Sequence, residues 1–141
     1  MINIFIAPTG IDSGLTTISL GLIQALDAQG LKVGFVKPIA PGLAANERST
    51  QLARSVLHLH TPDPMQLNDV TRSVSEGMLD RILEDSVALH AQVAEGCDVV
   101  IIEGLTPDRN EPYTAKLNVE VSKALNADVL LVCSAEGHSV S

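Results

Sequence analysis

The stretch APTGIDSGLTTISLG (residues 7–21) follows the apolar run INIFIA (residues 2–7) and leads into a segment with helical spacing. A turn of small residues between a buried strand and a helix places several backbone N–H groups at the helix N-terminus, where they attract anions. This order of strand, turn and helix is typical of parallel α/β folds that bind phosphate groups at the carboxyl edge of the sheet. The stretch therefore predicts both the fold class and the place of a candidate site.

Four short apolar runs rich in β-branched residues predict the strands of the sheet, over residues 2–7, 32–37, 98–104 and 128–134. Strands that are apolar on both faces are typical of a parallel sheet with helices on both sides, so we expect a doubly wound α/β domain. The pattern stops after the fourth strand, as if the fold were truncated there. We expect the strand order two, three, one, four, because the loop after the first strand and the end of the third must share one site.

The segments between the strands predict helices. The first helix has apolar residues almost all round, which predicts that it is largely buried. The length suits a single domain over the whole chain. The predicted helices cover residues 15–28, 49–57, 75–94 and 114–125, and the rest of residues 40–74 is predicted to be irregular.

The charge balance limits the classes of partner. Seventeen acidic residues against nine basic ones give a formal net charge of −8, spread along the chain. This charge argues against nucleic acid and anionic membranes as partners. The N-terminus lacks a signal-sequence pattern and no apolar run is long enough to span a bilayer, so we expect a cytoplasmic protein. A small anionic ligand remains compatible with the sequence, because backbone donors and a few local cations are enough to bind it.

The loop after the first strand is a degenerate P-loop. In the full pattern G-x-x-x-x-G-K-[ST], backbone N–H groups and the lysine hold the phosphates, and the hydroxyl binds Mg²⁺. Here the loop is one residue short, and Leu15 stands at the lysine position. We expect anion binding through the remaining groups; the alternative is a tight turn that binds nothing. The candidate contacts are Thr9, Gly10, Gly14, Thr16 and Thr17.

Position 15 opens the predicted first helix and faces the loop. We therefore expect a long side chain at this position to turn outward towards solvent or ligand; the opposing possibility is that Leu15 packs under the helix, where burying an amine would cost stability. On that basis Leu15→Lys is predicted to restore a charge-assisted contact and to raise the affinity for ATP by about tenfold or more.

Two charged residues stand where predicted strands end. Lys37 closes the second strand and Glu103 closes the third, followed by Gly104. Because ligands of open α/β folds collect at this edge, Lys37 could face a phosphate, and Glu103 together with Thr16 could hold Mg²⁺. Gly104 would then leave room for a ligand or another backbone segment. The alternatives are a solvated lysine, and a Glu103 carboxylate that pairs with Lys37 or caps a helix.

Five segments together resemble the N-terminal domain of the long bacterial phosphate acetyltransferases: APTGIDSGLTTISLGLIQAL, KVGFVKPIA, SVSEGML, VVIIEGLTP and LNVEVSKALNADVLLVCS. That domain is similar to dethiobiotin synthetase, an ATP-dependent enzyme with a P-loop NTPase-like fold. The resemblance implies that Thr16, Lys37 and Glu103 match residues that hold nucleotide and magnesium, whereas Leu15 does not match the loop lysine. The metal-holding aspartate of the relatives has no evident counterpart.

The resemblance also implies a function. In phosphate acetyltransferases, acetyl transfer between coenzyme A and phosphate belongs to a separate C-terminal domain. The chain is therefore expected to be a regulatory or assembly domain that is not itself catalytic, with the remaining domains of the same polypeptide as partners and a homo-oligomer as the assembly. No cofactor is required; the candidate effector is ATP, another nucleotide or phosphate, with Mg²⁺. The alternative is an ATP-dependent ligase of the dethiobiotin synthetase type.

Overall fold

A computed structural model describes residues 1–9, 15–107 and 113–133. Among these residues, no helix is long and apolar enough to cross a membrane. The four predicted strands and the four predicted helices are present, and residues 39–75 contain in addition two short strands, a 3₁₀ turn and a further α-helix. The strands and α-helices are β1 (Ile2–Pro8), α1 (Leu15–Ala28), β2 (Val33–Val36), β3 (Ile39–Ala40), α2 (Arg48–Ser55), β4 (Met65–Gln66), α3 (Leu67–Ser75), α4 (Leu79–Ala94), β5 (Val99–Glu103), α5 (Tyr113–Ala124) and β6 (Asp128–Val132).

The main sheet has four parallel strands in the order β2-β5-β1-β6. This order confirms the predicted arrangement, in which the strand before the loop lies beside the strand that ends in Glu103. The register pairs Ile6 of β1 with Glu103 of β5, and Val36 of β2 with Ile102 of β5. The carboxyl ends of β2 and β5 therefore lie together at one edge of the sheet, next to the end of β1.

Alternate residues of the strands pack into two apolar layers, one on each face of the sheet. Ile6, Phe35 and Ile101 face α1 and α2, whereas Phe5 and Ile102 face α3, α4 and α5. Each of these side chains is at most 1% exposed, and burying one contributes about 1.5–3 kcal/mol before the cost of ordering the chain. The two layers confirm the doubly wound α/β class.

Helix α1 is less buried than its sequence predicts. Only Leu15, Ser19 and Ile23 are buried along it, and Ile18 is 39% exposed. The prediction of a largely buried helix was wrong because, in the described part of the chain, α1 contacts the sheet and α2 but has no helix on its outer side. One face of α1 therefore packs and the other meets solvent, despite its apolar residues.

The segment between β2 and α4 contains more regular structure than its prolines suggest. The helix predicted over residues 75–94 begins at Leu79, because Gly77 has φ +77° and ends the preceding helix α3. Within the segment predicted to be irregular, α3 buries Leu67 and Val70 in the core. The short strands β3 and β4 form a separate parallel pair, and β4 directly precedes α3.

Candidate functional site

Lys37 and Glu103 meet at the carboxyl edge of the sheet. Lys37 directly follows β2 and Glu103 ends β5, and the lysine Nζ lies 2.8 Å from Glu103 Oε1. Both residues are buried, with 7% and 1% of their surfaces exposed. A buried ion pair is stable only while both charges are present, because either one alone would be desolvated without compensation. The alternative in which Glu103 pairs with Lys37 is therefore the one that the structure shows.

Ser49 joins this ion pair to helix α1. Its fully buried Oγ donates a 2.7 Å hydrogen bond to Glu103 Oε1 and lies 2.8 Å from Thr16 Oγ1. A serine hydroxyl carries one proton, so Thr16 must be the donor in the second contact. The lone pairs of Thr16 Oγ1 stay available to a cation. Thr16, Ser49, Glu103 and Lys37 therefore form one hydrogen-bonded cluster, which we call the buried polar cluster.

Glu47 fixes Ser49 in this position by capping helix α2. Its Oε1 accepts a hydrogen bond from the Ser49 N–H at 3.1 Å, and its Oε2 accepts one from the Thr50 N–H at 2.7 Å. A capping side chain of this kind satisfies N–H groups that the helix leaves unpaired. The same Glu47 Oε1 lies 3.8 Å from Lys37 Nζ. One ammonium group is thus shared by two carboxylates.

One oxygen of the buried carboxylate has no hydrogen-bond partner among the described residues. This atom is Glu103 Oε2, and it is inaccessible to solvent. Buried polar atoms in proteins are normally paired, so an unpaired carboxylate oxygen is a place for a bound ion or water. No group of three or more His, Cys, Asp or Glu side chains that could hold a metal ion occurs in the described part of the chain. Glu103 and Thr16 fit Mg²⁺ only if phosphate oxygens and water complete its shell, as is usual for this ion.

Leu15, at the lysine position of the loop, is part of the hydrophobic core. It is 7% exposed and belongs to the apolar layer that contains Ile6 and Ile23. Packing under the helix, the alternative to an outward side chain, is therefore the arrangement that the structure shows for Leu15. The first turn of α1 lies on the sheet, so the Leu15 side chain packs with Ile6 of β1. A lysine at this position would have its ammonium group buried, and the predicted gain in ATP affinity is not expected.

The other predicted site residues lie in different surroundings. Thr9 is exposed, and both its N–H (2.8 Å) and its Oγ1 (3.2 Å) donate to the Val132 carbonyl at the end of β6. Thr17 is exposed on α1. Gly10 and Gly14 lie outside the described residues. Ligand contacts by these four residues stay predictions.

The space around Gly104 is filled by neighbouring side chains, which the sequence did not reveal. A Cβ at this position would lie 2.7 Å from a ring atom of Phe5 and 3.0 Å from Asn118 Oδ1. The Asn118 side chain also forms two hydrogen bonds with the backbone of Leu105, the residue after Gly104. Its Oδ1 accepts from the Leu105 N–H and its Nδ2 donates to the Leu105 carbonyl, each at 2.8 Å. Helix α5 thereby holds the chain just after Glu103 in place.

Ser49, Glu47 and Asn118 are the residues near the site that sequence reasoning missed. A signal existed for the first two, since an acidic residue followed by a Ser-Thr pair after a loop is typical of a helix N-terminus. No comparable signal existed for Asn118, which lies 13 residues from its backbone partner and inside a helix.

Comparisons with known proteins place these observations in a family. A family model described as "AAA domain" matches residues 2–140. Phosphate acetyltransferase of Pseudomonas aeruginosa is 45% identical over an alignment that covers 100% of this chain and 20% of the relative. The Pseudomonas putida enzyme is 44% identical, with 100% and 21% covered, and that of Escherichia coli is 33% identical, with 93% and 19% covered. The chain spans about one fifth of the length of these relatives. They confirm the resemblance to the N-terminal domain of phosphate acetyltransferases.

Proposed function

The chain belongs to the AAA domain family, and we propose that it serves as a non-catalytic regulatory or assembly domain of a phosphate acetyltransferase. Such an enzyme converts acetyl-CoA and phosphate into acetyl phosphate and coenzyme A. The relatives that match the whole chain carry this name, and the matched region is a small part of each of them. We also propose that the remaining domains of the same polypeptide are its partners, that the assembly is a homo-oligomer, and that it acts in the cytoplasm.

The observation that carries the non-catalytic part of the proposal is the burial of Leu15. Phosphoryl transfer at a P-loop relies on a lysine that neutralises the β- and γ-phosphates. Leu15 packs in the apolar layer that contains Ile6 of β1 and supplies no such charge. This observation favours a domain that binds an effector over the alternative, an ATP-dependent ligase of the dethiobiotin synthetase type.

The buried polar cluster supports binding of an anionic effector such as ATP, another nucleotide or inorganic phosphate. Lys37 has three N–H donors and uses one of them on Glu103 at 2.8 Å, so further donors remain for a phosphate oxygen. Thr16 Oγ1 and Glu103 Oε2 are the groups that would hold Mg²⁺ if it entered with the effector. Magnesium would supply charge neutralisation to the phosphates, the role that the missing lysine plays in an intact P-loop.

Calorimetric titration of the purified chain tests this proposal directly. ATP and inorganic phosphate are titrated separately, each with and without Mg²⁺, into the wild-type chain, Lys37→Met and Lys32→Met. Lys32 is the matched control, because it is exposed and precedes the same strand that Lys37 follows. We expect Lys37→Met to weaken effector binding by about tenfold or more, the value of a charge-assisted hydrogen bond, and Lys32→Met to leave it unchanged.

Three outcomes would contradict parts of the proposal. Absence of binding for both anions at millimolar concentration would leave assembly as the only role. Consumption of ATP by the chain would favour the ligase alternative. Formation of acetyl phosphate from acetyl-CoA by this chain alone, at a rate near that of a full-length phosphate acetyltransferase, would show that the domain is catalytic.

A further inference from the structure

Glu47 lies against Lys37 without a hydrogen bond to it. Its Oε1 is 3.8 Å from the lysine Nζ, whereas Glu103 Oε1 is 2.8 Å from the same atom. A separation of 3.8 Å is too long for a hydrogen bond but short for two opposite charges. Glu47 therefore adds a negative charge beside Lys37 without taking up one of the N–H donors of the ammonium group.

The first turn of α2 holds the Glu47 carboxylate in this place. Its two oxygens accept backbone N–H groups, from Ser49 at 3.1 Å and from Thr50 at 2.7 Å, and its side chain is only 9% exposed. Moving the carboxylate away would break both hydrogen bonds and leave two N–H groups of the helix unpaired. The charge of Glu47 is therefore a fixed part of the surroundings of Lys37.

The buried groups around Lys37 carry a net negative charge, because one ammonium faces the carboxylates of Glu47 and Glu103. Arg48, the next cation along the chain, is exposed, so solvent screens its charge. An oxygen that accepts a hydrogen bond from Lys37 Nζ lies about 3 Å from that nitrogen, and hence within about 7 Å of Glu47 Oε1. This distance is shorter than the screening length of about 8 Å in physiological salt. A phosphate oxygen bound to Lys37 therefore meets the charge of Glu47.

We propose that Glu47 is a specificity-determining residue of the effector site, which disfavours free anions and favours an anion that arrives with a divalent cation. This inference rests on the proposed function, since it concerns the same site. A free phosphate group adds negative charge to surroundings that are already net negative. A phosphate group that carries Mg²⁺ brings a compensating charge, which offsets the repulsion from Glu47. The residue thus discriminates between inorganic phosphate and a magnesium-bound nucleotide.

Calorimetric titration of two capping variants tests the proposal. Glu47→Asn removes the charge and Glu47→Asp keeps it, and both new residues are favourable helix N-caps, so α2 should form in both variants. We expect Glu47→Asn to bind inorganic phosphate, without Mg²⁺, at least about tenfold more tightly than the wild type. Unit charges about 7 Å apart near a protein surface interact by more than the roughly 1.4 kcal/mol that a tenfold change represents. Glu47→Asp should bind phosphate as the wild type does.

Titration of ATP with and without Mg²⁺ provides a second measurement. The ratio of the two affinities should be smaller in Glu47→Asn than in the wild type, because the affinity for free ATP rises while that for the magnesium complex changes little. Glu76→Gln is the matched control for loss of a negative charge, since Glu76 is exposed and follows α3 on the other face of the sheet. It should change neither the phosphate affinity nor the ratio.

Circular dichroism checks that each variant keeps the wild-type helix content, and Glu47→Ser, another capping residue without charge, replaces Glu47→Asn if that variant does not. Equal phosphate affinity in the uncharged variant and the wild type would overturn the inference and leave the proposed function intact. A gain that Glu47→Asp shares would also overturn it, since the charge would then not be responsible. Binding by the uncharged variant alone would support the inference and count against an effector role for the wild-type chain. Absence of binding in both would contradict the inference and the effector role together.

Discussion

The two edge strands of the sheet, β2 and β6, have similar sequences but very different surroundings. Val33, Phe35 and Val36 of β2 are at most 9% exposed, because α1 covers one face of the strand and α4 covers the other. Val129, Leu130 and Leu131 of β6 are between 44% and 68% exposed, and only Val132 at the end of the strand is buried. An apolar run therefore predicts a strand, but not whether both of its faces are covered. We distinguish the closed side of the sheet, at β2 and β5, from the open side, at β6.

The largest expected difference between the two sides is in the cost of truncating an aromatic or aliphatic side chain. Phe35→Ala on the closed side removes a fully buried ring and should lower the free energy of unfolding by about 4 kcal/mol. Leu131→Ala on the open side should change it by less than about 0.5 kcal/mol, as is usual for exposed positions. Urea denaturation of the two variants measures both values. Similar losses would show that β6 is buried in solution and that the distinction fails.

The buried polar cluster should be the next most sensitive feature of the closed side. Glu103→Gln keeps the shape of the side chain but leaves the Lys37 ammonium buried opposite a neutral amide. We expect a loss of about 3 kcal/mol in the free energy of unfolding, because removing one charge of a buried ion pair leaves the other charge buried without compensation. The double variant Lys37→Met/Glu103→Gln should recover most of that loss. A double variant that is less stable than Glu103→Gln would contradict the ion pair between Lys37 and Glu103.

Gly104 tests the junction between the closed and open sides, where β5 meets β1 and α5. A Cβ at this position would lie 2.7 Å and 2.9 Å from ring atoms of Phe5, so Gly104→Ala should destabilise by about 2 kcal/mol through overpacking. Gly21→Ala is the control. No atom lies within 4 Å of a Cβ at position 21 in α1, so that variant should be more stable than wild type by about 0.5–1 kcal/mol. Thermal unfolding measures the stability of both variants. A Gly104→Ala variant that melts above Gly21→Ala would contradict the close packing around Gly104.

The smallest expected effect concerns pH and the link between α4, β1 and the residue that follows α5. His90 Nε2 lies 2.8 Å from Asn3 Oδ1, and Asn3 Nδ2 donates to the Leu125 carbonyl at 3.1 Å, so the imidazole donates its Nε2–H to Asn3. Burial lowers the pKa of His90. The unfolded chain therefore binds the proton more readily, and the stability from His90 is complete above the unfolded pKa of about 6.5 and decreases as the pH falls below it.

Urea midpoints at pH 7.5 and pH 5.5 measure this contribution. The decrease in midpoint on acidification should be smaller in His90→Gln than in the wild type. His60→Gln, at an exposed position, should retain the wild-type decrease. A larger decrease in His90→Gln would mean that protonation of His90 stabilises the fold, contrary to the direction of its pKa.

The sequence predicted the sheet well, because its strands are continuous apolar runs that only a parallel, helix-covered sheet can bury. It also predicted α1 to its observed bounds, since the small-residue loop precedes that helix and Gly30 follows it with φ +85°. Helix α3 was missed because prolines at positions 62 and 64 suggested a loop, and the helix that follows is only 9 residues long.

The candidate site was predictable where it depends on strand ends and unpredictable where it depends on distant side chains. Lys37 and Glu103 follow from the rule that parallel strands end at the same edge. The contact of Ser49 with Glu103 joins residues 54 positions apart, and no local pattern encodes it. Helix position alone does not reveal which way the first turn rests on the sheet, so the sequence could not decide whether Leu15 packs under the helix.

The packing of Leu15 has an evolutionary consequence. If an ancestor of this domain carried the loop lysine, the change to leucine was not a simple deletion of function, since the new side chain became part of the core with Ile6 and Ile23. Reversal by one substitution would now bury an ammonium group in that core, at a cost that selection would reject before any benefit to nucleotide binding appeared. Neighbouring residues would first have to be repacked. A loop lysine could therefore return only after substitutions in the core that surrounds position 15.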